Sequence, residues 1–325
     1  MVICRAPFRV SFIGGGTDFP DYYRNYGGEV VSAAIDKYIY TTISHKFDDK
    51  IHLRYSKFEC VDKLEDLKHD LVRQALKLTG ITKGIEIVTI SDIPAKGSGL
   101  GSSSSLAVVL LKAFYKFKGY DIPTTKLAEL ACNLEIDILK SPIGKQDQYA
   151  CCFGSLNHIK FNQDDTVDID NLYISANYEK IKWLEESSML FYLGEGHSSS
   201  EILTEHKSNI PNKKDCLEAQ KGLVKEFYDW LHNDSAKYIA GQLINLNWKL
   251  KKEMTPSIVD EAVEEKIKLV KQSGASGAKV CGSGKGGFLL VICDKIRQNM
   301  VRHALSDLKE LDFKFSTGAE VIYAD

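Results

Sequence analysis

The chain has 325 residues, 44% of them hydrophobic and 26% charged, enough to bury a sizeable core as one large domain or two ordinary ones, which excludes a disordered tail or linker. Its 42 Lys and Arg against 44 Asp and Glu leave a net charge of −2, so no global basic field exists for a nucleic-acid backbone and any anion must be met locally. The longest apolar runs, such as 106–111 and 288–293, are under half a membrane span, and the first residues run straight into strand-like sequence; the expectation is a cytoplasmic protein that engages neither membrane nor nucleic acid.

Stretches rich in Val, Ile, Tyr and Thr predict strands over 2–13, 29–35, 38–45, 51–56 and 84–90, with one helix over 65–79 among them. The first strand carries Arg5 and Arg9 on its exposed parity, with Pro7 between them, and runs into Gly14-Gly15-Gly16-Thr17-Asp18. Three bare glycines let a ligand approach the backbone, and Asp18 can accept hydrogen bonds from sugar hydroxyls; a turn closed by an Asx-type bond is the plain alternative.

Between the strand ending near 90 and a helix over 102–117 lies Pro94-Ala95-Lys96-Gly97-Ser98-Gly99-Leu100-Gly101-Ser102-Ser103-Ser104-Ser105. Leu106, Val109, Leu110, Ala113, Phe114 and Phe117 recur at three- and four-residue intervals, which predicts a helix with one buried stripe. Alternate glycines allow a tight turn with positive φ, and the helix behind them presents unpaired amides and the positive end of its dipole, an anion socket. Gly101-Ser102 supplies a cap, and the neighbouring hydroxyls offer donors to phosphate or a ligand to a hard cation such as Mg²⁺. This is not the common P-loop, because neither Gly144-Lys145 nor Gly284-Lys285 is followed by Ser or Thr; a capped glycine-serine turn is the alternative.

A second helix is predicted over 124–139, and Pro142 and Gly144 break the chain before a third beginning near Lys145. Glu135 lies late in one and Asp147 early in the next, so they cannot share a helical face. They converge if the chain folds back at the break, one carboxylate binding Mg²⁺ and the other receiving a hydroxyl proton; a solvated helix charge and a helix-terminal acid are the alternatives. Strands follow over 154–161 and 167–174.

The polar stretch 177–187 reads as a loosely structured joint, which sets lobes of 1–180 and 181–325. Helices are predicted over 199–208, 213–232, 236–253, 257–272 and 295–311, with strands over 278–281, 288–293 and 313–323. A third glycine cluster, Gly282-Ser283-Gly284-Lys285-Gly286-Gly287, joins two of those strands and by itself is a generous hairpin loop. The mixture predicts an α+β protein of two lobes. Eight cysteines without a Cys-x-x-Cys pair read as buried thiols, and eight histidines show no transition-metal pair.

The three glycine clusters, in this order, resemble those of the superfamily of galactokinase, homoserine kinase, mevalonate kinase and phosphomevalonate kinase, the GHMP kinases. Gly99-Leu100-Gly101-Ser102-Ser103 after Pro94 is similar to that group's phosphate-loop signature. Arg5-Ala6-Pro7-Phe8-Arg9-Val10-Ser11-Phe12 with the first cluster, Tyr22-Tyr23 and Tyr26-Gly27-Gly28 looks most like the bacterial D-glycero-D-manno-heptose 7-phosphate kinases, and fucose-type kinases share part of it.

The resemblance implies a two-lobed α+β fold with a strand-rich N-terminal lobe and a ferredoxin-like, helix-rich C-terminal lobe. It implies transfer of the γ-phosphoryl group of ATP, with Mg²⁺, to the anomeric hydroxyl of a sugar or sugar phosphate, and it leaves a homo-oligomer open. It places Gly97, Ser98, Gly99, Leu100, Gly101, Ser102 and Ser103 around the ATP phosphates, with Ser103 and Glu135 as magnesium ligands. Asp147 falls at the acid that orients or deprotonates the acceptor, and Arg9 at the cationic residue that steadies the phosphoryl group and depresses that acid's pKa. Gly14, Gly15, Gly16, Thr17 and Asp18 fall at the sugar, with Gly284 and Lys285 in the floor. Two departures stand out: Lys285 interrupts a small-residue run, and His197, in Gly194-Glu195-Gly196-His197-Ser198-Ser199-Ser200-Glu201, stands where heptose kinases tend to carry an arginine. Different classes on this fold are a non-catalytic sugar and nucleotide regulator and an ATP-using decarboxylase.

Overall fold

A long antiparallel pair of strands organises the first part of the computed structural model, which describes residues 1–94, 97–194 and 199–325. Strand β1 (Val2–Ile13) lies along β2 (Gly28–His45) for almost its full length, with α1 (Pro20–Tyr26) in the connection. The sequence predicts two strands over 29–45; there is one. Between the pairs Pro7↔Tyr38 and Phe8↔Ile35, β2 bulges by Asp36 and Lys37, at the residue that has no N–H to give to a ladder.

The chain continues through β3 (Ile51–Arg54), β4 (Phe58–Val61), α2 (Asp70–Thr79) and β5 (Ile85–Ser91), then α3 (Ser102–Phe117), α4 (Thr124–Cys132) and α5 (Gln146–Phe153). Strands β6 (Leu156–Phe161) and β7 (Val167–Asn171) follow, then α6 (Leu172–Ser175) and α7 (Tyr178–Ser187). The larger sheet runs β12-β1-β2-β5-β3-β4, with β6 pairing β2 and β7, where β12 (Glu320–Ala324) is the last strand of the chain. The tail therefore returns to β1. Residues 172–174, expected as strand, belong to α6, and of 313–323 only the end is regular strand.

The stretch 177–187 is not a loose joint. It forms α7, capped by the Asn177 side chain, which accepts from the amides of Glu179 and Lys180. Strand β8 (Ser188–Gly194), missed in the sequence, follows directly; α8 (Ser199–Asn209), α9 (Lys214–His232), α10 (Ile239–Met254) and α11 (Glu261–Gln272) come next. Then come β9 (Gly277–Val280), β10 (Gly287–Ile292), α12 (Gln298–Ala304) and β11 (Lys309–Leu311), where the sequence predicts helix as far as 311.

These four strands form an antiparallel sheet of order β11-β8-β10-β9, the ferredoxin-like arrangement in which the first and third strands lie side by side. Strand β10 is buried on both faces: Leu289 and Val291 pack with Ile267, Val270 and Val301 of α11 and α12, while Phe288, Leu290 and Ile292 join the main core. Helix α9 puts Leu223, Val224, Phe227 and Leu231 into that core, and Phe227 stacks on Phe12 of β1 at 6.3 Å. The fold is α+β.

Helix α3 is buried more completely than its stripe predicts, since Ala107, Val108 and Leu111 are enclosed as fully as Val109 and Leu110. It lies between the larger sheet and α2, α4 and α5 and is the central rod of the first lobe. All eight cysteines are free thiols, with Cys60 exposed and Cys216 half-buried. Among the described residues, no helix is long and apolar enough to cross a membrane.

Candidate active site

The loop before α3 takes the shape its glycines permit. Gly97, Gly99 and Gly101 all have positive φ, of 70°, 73° and 78°. Of the expected Gly101-Ser102 cap, Gly101 is the capping residue and no side chain closes the helix end. The first-turn amides are therefore not spent on a side chain and point, with the helix dipole, at whatever sits in the loop. Ala95 and Lys96 lie outside the described residues.

The third glycine cluster supports this loop from behind. A Cβ on Gly99 would stand 2.7 Å from the Cys281 carbonyl oxygen, and one on Gly287 would stand 2.4 Å from that of Ser98. Two backbones pass so closely that neither tolerates a side chain. Leu100 and Ser98 are fully buried, and Ser98 Oγ accepts the Leu100 amide at 3.3 Å.

Arg9 of β1 and Asp147 of α5 meet beside the helix start. Nε and Nη2 of Arg9 donate to the two carboxylate oxygens of Asp147, each at 2.7 Å, and Nη1 donates to the Gly99 carbonyl at 2.7 Å. Arg9, expected on an exposed face of β1, is only 5% exposed because the cleft closes over it, whereas Arg5 on the same parity is half-buried. Burial works against the guanidinium charge, but Asp147 outweighs it and raises its pKa above the ordinary value. A Cβ on Gly101 would stand 3.3 Å from Asp147 Oδ2, so the acid lies against the loop.

The fold-back at Pro142 and Gly144 does bring the two acidic segments together. After α4 the chain widens into a π-helical turn, Asn133–Ile138, which carries Glu135 inward. Ser103 Oγ donates to Glu135 Oε1 at 2.5 Å, and Gln148, next to Asp147, donates to Oε2 at 2.6 Å. Glu135 is 1% exposed. Burial pushes its carboxyl up, while the bonds from Ser103, Ser104 and Gln148 pull the other way.

The first glycine cluster divides. Gly15, Gly16 and Asp18 line a cavity of about 100 Å³ together with Arg9 and Asp147. Asp18 accepts the amides of Gly16 and Gln146 at 2.9 and 3.1 Å, so it pins the cluster to the start of α5; burial raises its pKa while those amides lower it. Gly14 packs on Glu29 and Val224, away from the cavity. Thr17 is not brought to it either: it is fully buried, and its hydroxyl is used by the carbonyls of Gly14 and Glu29 and the Glu29 amide. Gly282 and Ser283 line the cavity, whereas Gly284 and Lys285 do not.

Sequence reading missed half of this cavity. Lys251 and Asn247 from α10, Lys279 from β9 and His206 from α8 all face it. Nothing in the sequence marks them, because a lysine in an amphipathic helix reads as a solvated charge. A second groove, of about 510 Å³, opens at the other side of the helix start, where Ser102 and Ser103 meet the apolar Ile39, Leu71, Leu106 and Leu139, with His69 and Asp70.

The sequence and the fold have known relatives. The sequence matches the GHMP kinases N terminal domain over residues 67–155 and the GHMP kinases C terminal region over 236–310, together half of the chain. This chain belongs to the GHMP kinase family. As a GHMP kinase it is 29% identical over 316 residues to the D-glycero-alpha-D-manno-heptose 7-phosphate kinase of Campylobacter jejuni, covering 92% of this chain and 91% of that one. It is 25% identical to the galactokinase of Pyrococcus furiosus, covering 98% and 96%. A solved D-glycero-D-manno-heptose 1-phosphate kinase from Bacteroides thetaiotaomicron superposes over the full length of both chains with a TM-score of 0.73 and 25% identity. The protein is a sugar kinase, an ATP-dependent phosphotransferase of this family.

Proposed function

We propose that this GHMP kinase transfers the γ-phosphoryl group of ATP to the anomeric hydroxyl of D-glycero-D-manno-heptose 7-phosphate, giving the 1,7-bisphosphate for nucleotide-heptose and surface polysaccharide synthesis in the cytoplasm. The observation that carries the reading is the Asp147–Arg9 pair lying against Gly101, at the start of an uncapped helix. Likeness to the heptose kinases over nearly the whole chain supports the choice of sugar.

In this reading the amides at Gly97–Ser103 hold the phosphates, and the groove of Ile39, Leu71, Leu106 and Leu139 takes the nucleoside. Asp147 orients the acceptor hydroxyl and takes its proton, with Gln146 and Arg9 fixing the carboxylate; Arg9 also faces the charge that develops on the moving phosphoryl group. Gly15, Gly16 and Asp18 bound the sugar. The first lobe, 1–180, supplies the phosphate loop and sugar strand, and the second, 181–325, the glycine motif behind them.

Glu135 and Ser103 fit a Mg²⁺ ion. A carboxylate this buried, held by the hydroxyls of Ser103 and Ser104 and the Gln148 amide, offers with Ser103 Oγ the oxygen ligands suited to a hard cation. Among the described residues no group of three His, Cys, Asp or Glu could hold a metal by itself, so the nucleotide's oxygens would complete the shell. Bound there, Mg²⁺ would neutralise phosphate charge.

The test is ADP release with a panel of free and phosphorylated sugars including heptose 7-phosphate, fucose and mannose. Turnover of heptose 7-phosphate well above the rest is expected; turnover confined to free fucose would make this a fucose-type 1-kinase, and no turnover with any sugar would mark a sugar and nucleotide regulator.

A further inference from the structure

The cavity beside Asp147 holds more positive charge than the acceptor hydroxyl needs. Lys251 and Lys279 both line it, and among the described residues neither forms an ion pair with a carboxylate. Lys251 donates to the Gly282 carbonyl, and Lys279 to the Phe12 carbonyl at 2.9 Å and Asn247 Oδ1 at 3.1 Å. Each ammonium thus spends protons on neutral oxygens and keeps its charge unpaired, Lys279 in a buried place and Lys251 in a half-buried one, which is costly. Burial, with the neighbouring Lys279, brings Lys251 down to about 7, and burial brings Lys279 down to about 8.

A third group points the same way. His206 is 4% exposed, its Nδ1 lies 2.9 Å from the Thr255 hydroxyl, and its Nε2 has no partner although it is buried on the same cavity. With Thr255 donating to Nδ1, Nε2 carries the ring proton and is an unused donor. Burial, then Lys251, depresses the ring to about 3, so this donor is neutral at working pH.

We infer that Lys251, Lys279 and His206 Nε2 form a second oxyanion site in this cleft, and that it takes a phosphate carried by the acceptor sugar itself. The inference rests on the kinase reading above, with Asp147 at the acceptor hydroxyl. It assigns the site to the acceptor rather than to ATP because no residue of 97–103 lines this cavity, whereas Ser102 and Ser103 line the other groove. A dianion between two ammonium groups returns both to their charged form, which is the charge-assisted bonding a phosphate requires.

The test uses Lys251→Met and Lys279→Met in the full chain, with steady-state kinetics on heptose 7-phosphate, hexose 6-phosphates and the corresponding free sugars. Each variant should raise KM for the phosphorylated acceptor by about 10- to 100-fold, the worth of a hydrogen bond to a charged group, with KM for ATP nearly unchanged. A fall in kcat at unchanged acceptor KM, or an equal rise in KM for ATP, would place the lysines on the transferred phosphoryl group and overturn the assignment. Lysine-dependent turnover of a hexose 6-phosphate but not of heptose 7-phosphate would refute the heptose substrate and uphold this site. Turnover of unphosphorylated sugars only would refute the site and leave the kinase. Should the variants not fold, inorganic phosphate on the wild-type enzyme decides: inhibition competitive with the sugar phosphate is expected, and inhibition competitive with ATP alone contradicts it.

Discussion

Replacing Asp147 by Asn removes one charge and leaves the shape. The side chain accepts two bonds of 2.7 Å from Arg9; Asn keeps one accepting oxygen and turns an NH₂ toward the other donor. One charge-assisted bond is lost, worth about 1.5–3 kcal/mol when buried, and Asp147, 24% exposed, lets water recover part of it. Arg9 stays anchored through Nη1 on the Gly99 carbonyl. The protein should therefore fold and melt only about 2–4 °C lower. Catalysis loses far more, because Asn cannot take the hydroxyl proton: a fall in kcat of about 10²–10⁴ is expected. The assay pairs ADP release with calorimetric ATP binding, which should be retained since the loop amides do not use Asp147. Turnover near wild type in a folded D147N protein would refute the role given to this acid.

Ser103→Ala should raise KM for Mg·ATP and the Mg²⁺ concentration needed for half-maximal rate, with sugar affinity nearly unchanged; a change in sugar affinity alone would contradict the metal role of Ser103 and Glu135. Gly99→Ala forces a side chain onto φ 73° and against the Cys281 carbonyl, so a loss of at least about 1–2 kcal/mol and a higher KM for ATP are expected; an unshifted melting curve would contradict the backbone contact. The pH profile carries a sign. Lys251 and Lys279 have folded pKa values below the unfolded one, so above about 7 the unfolded chain binds more protons, and the stability of the ligand-free protein should rise with pH toward the ordinary lysine range. Lys251→Met should flatten that rise in melting curves; an unchanged slope would contradict the burial.

Periodicity carried the central elements. Helix α3 lies where the three- and four-residue spacing puts it and β1 where its β-branched and aromatic content puts it, because each is held by burial along its own length. The glycine loop was legible for a different reason: three alternate positive-φ residues have few other uses. What the sequence hid depends on distant partners. Strand β8 lies between the expected joint and the next predicted helix, where no element is predicted, and is set as strand by pairing with β10 and β11. Thr17 looks like a ligand group and is consumed by the backbone of residues 14 and 29. Lys251, Lys279 and His206 lie on three separate elements and acquire meaning only when α8, α10 and β9 close over β1.

The arrangement as a whole stands on which oxygen receives the phosphoryl group. Phosphorus NMR of the product made from ATP and heptose 7-phosphate addresses this directly. A second phosphate coupled to the anomeric proton, beside the unchanged 7-phosphate, is the expected spectrum. Phosphorylation at any other carbon would contradict the anomeric acceptor, and ADP formed without a new sugar phosphate would contradict the placement of an alcohol before Asp147.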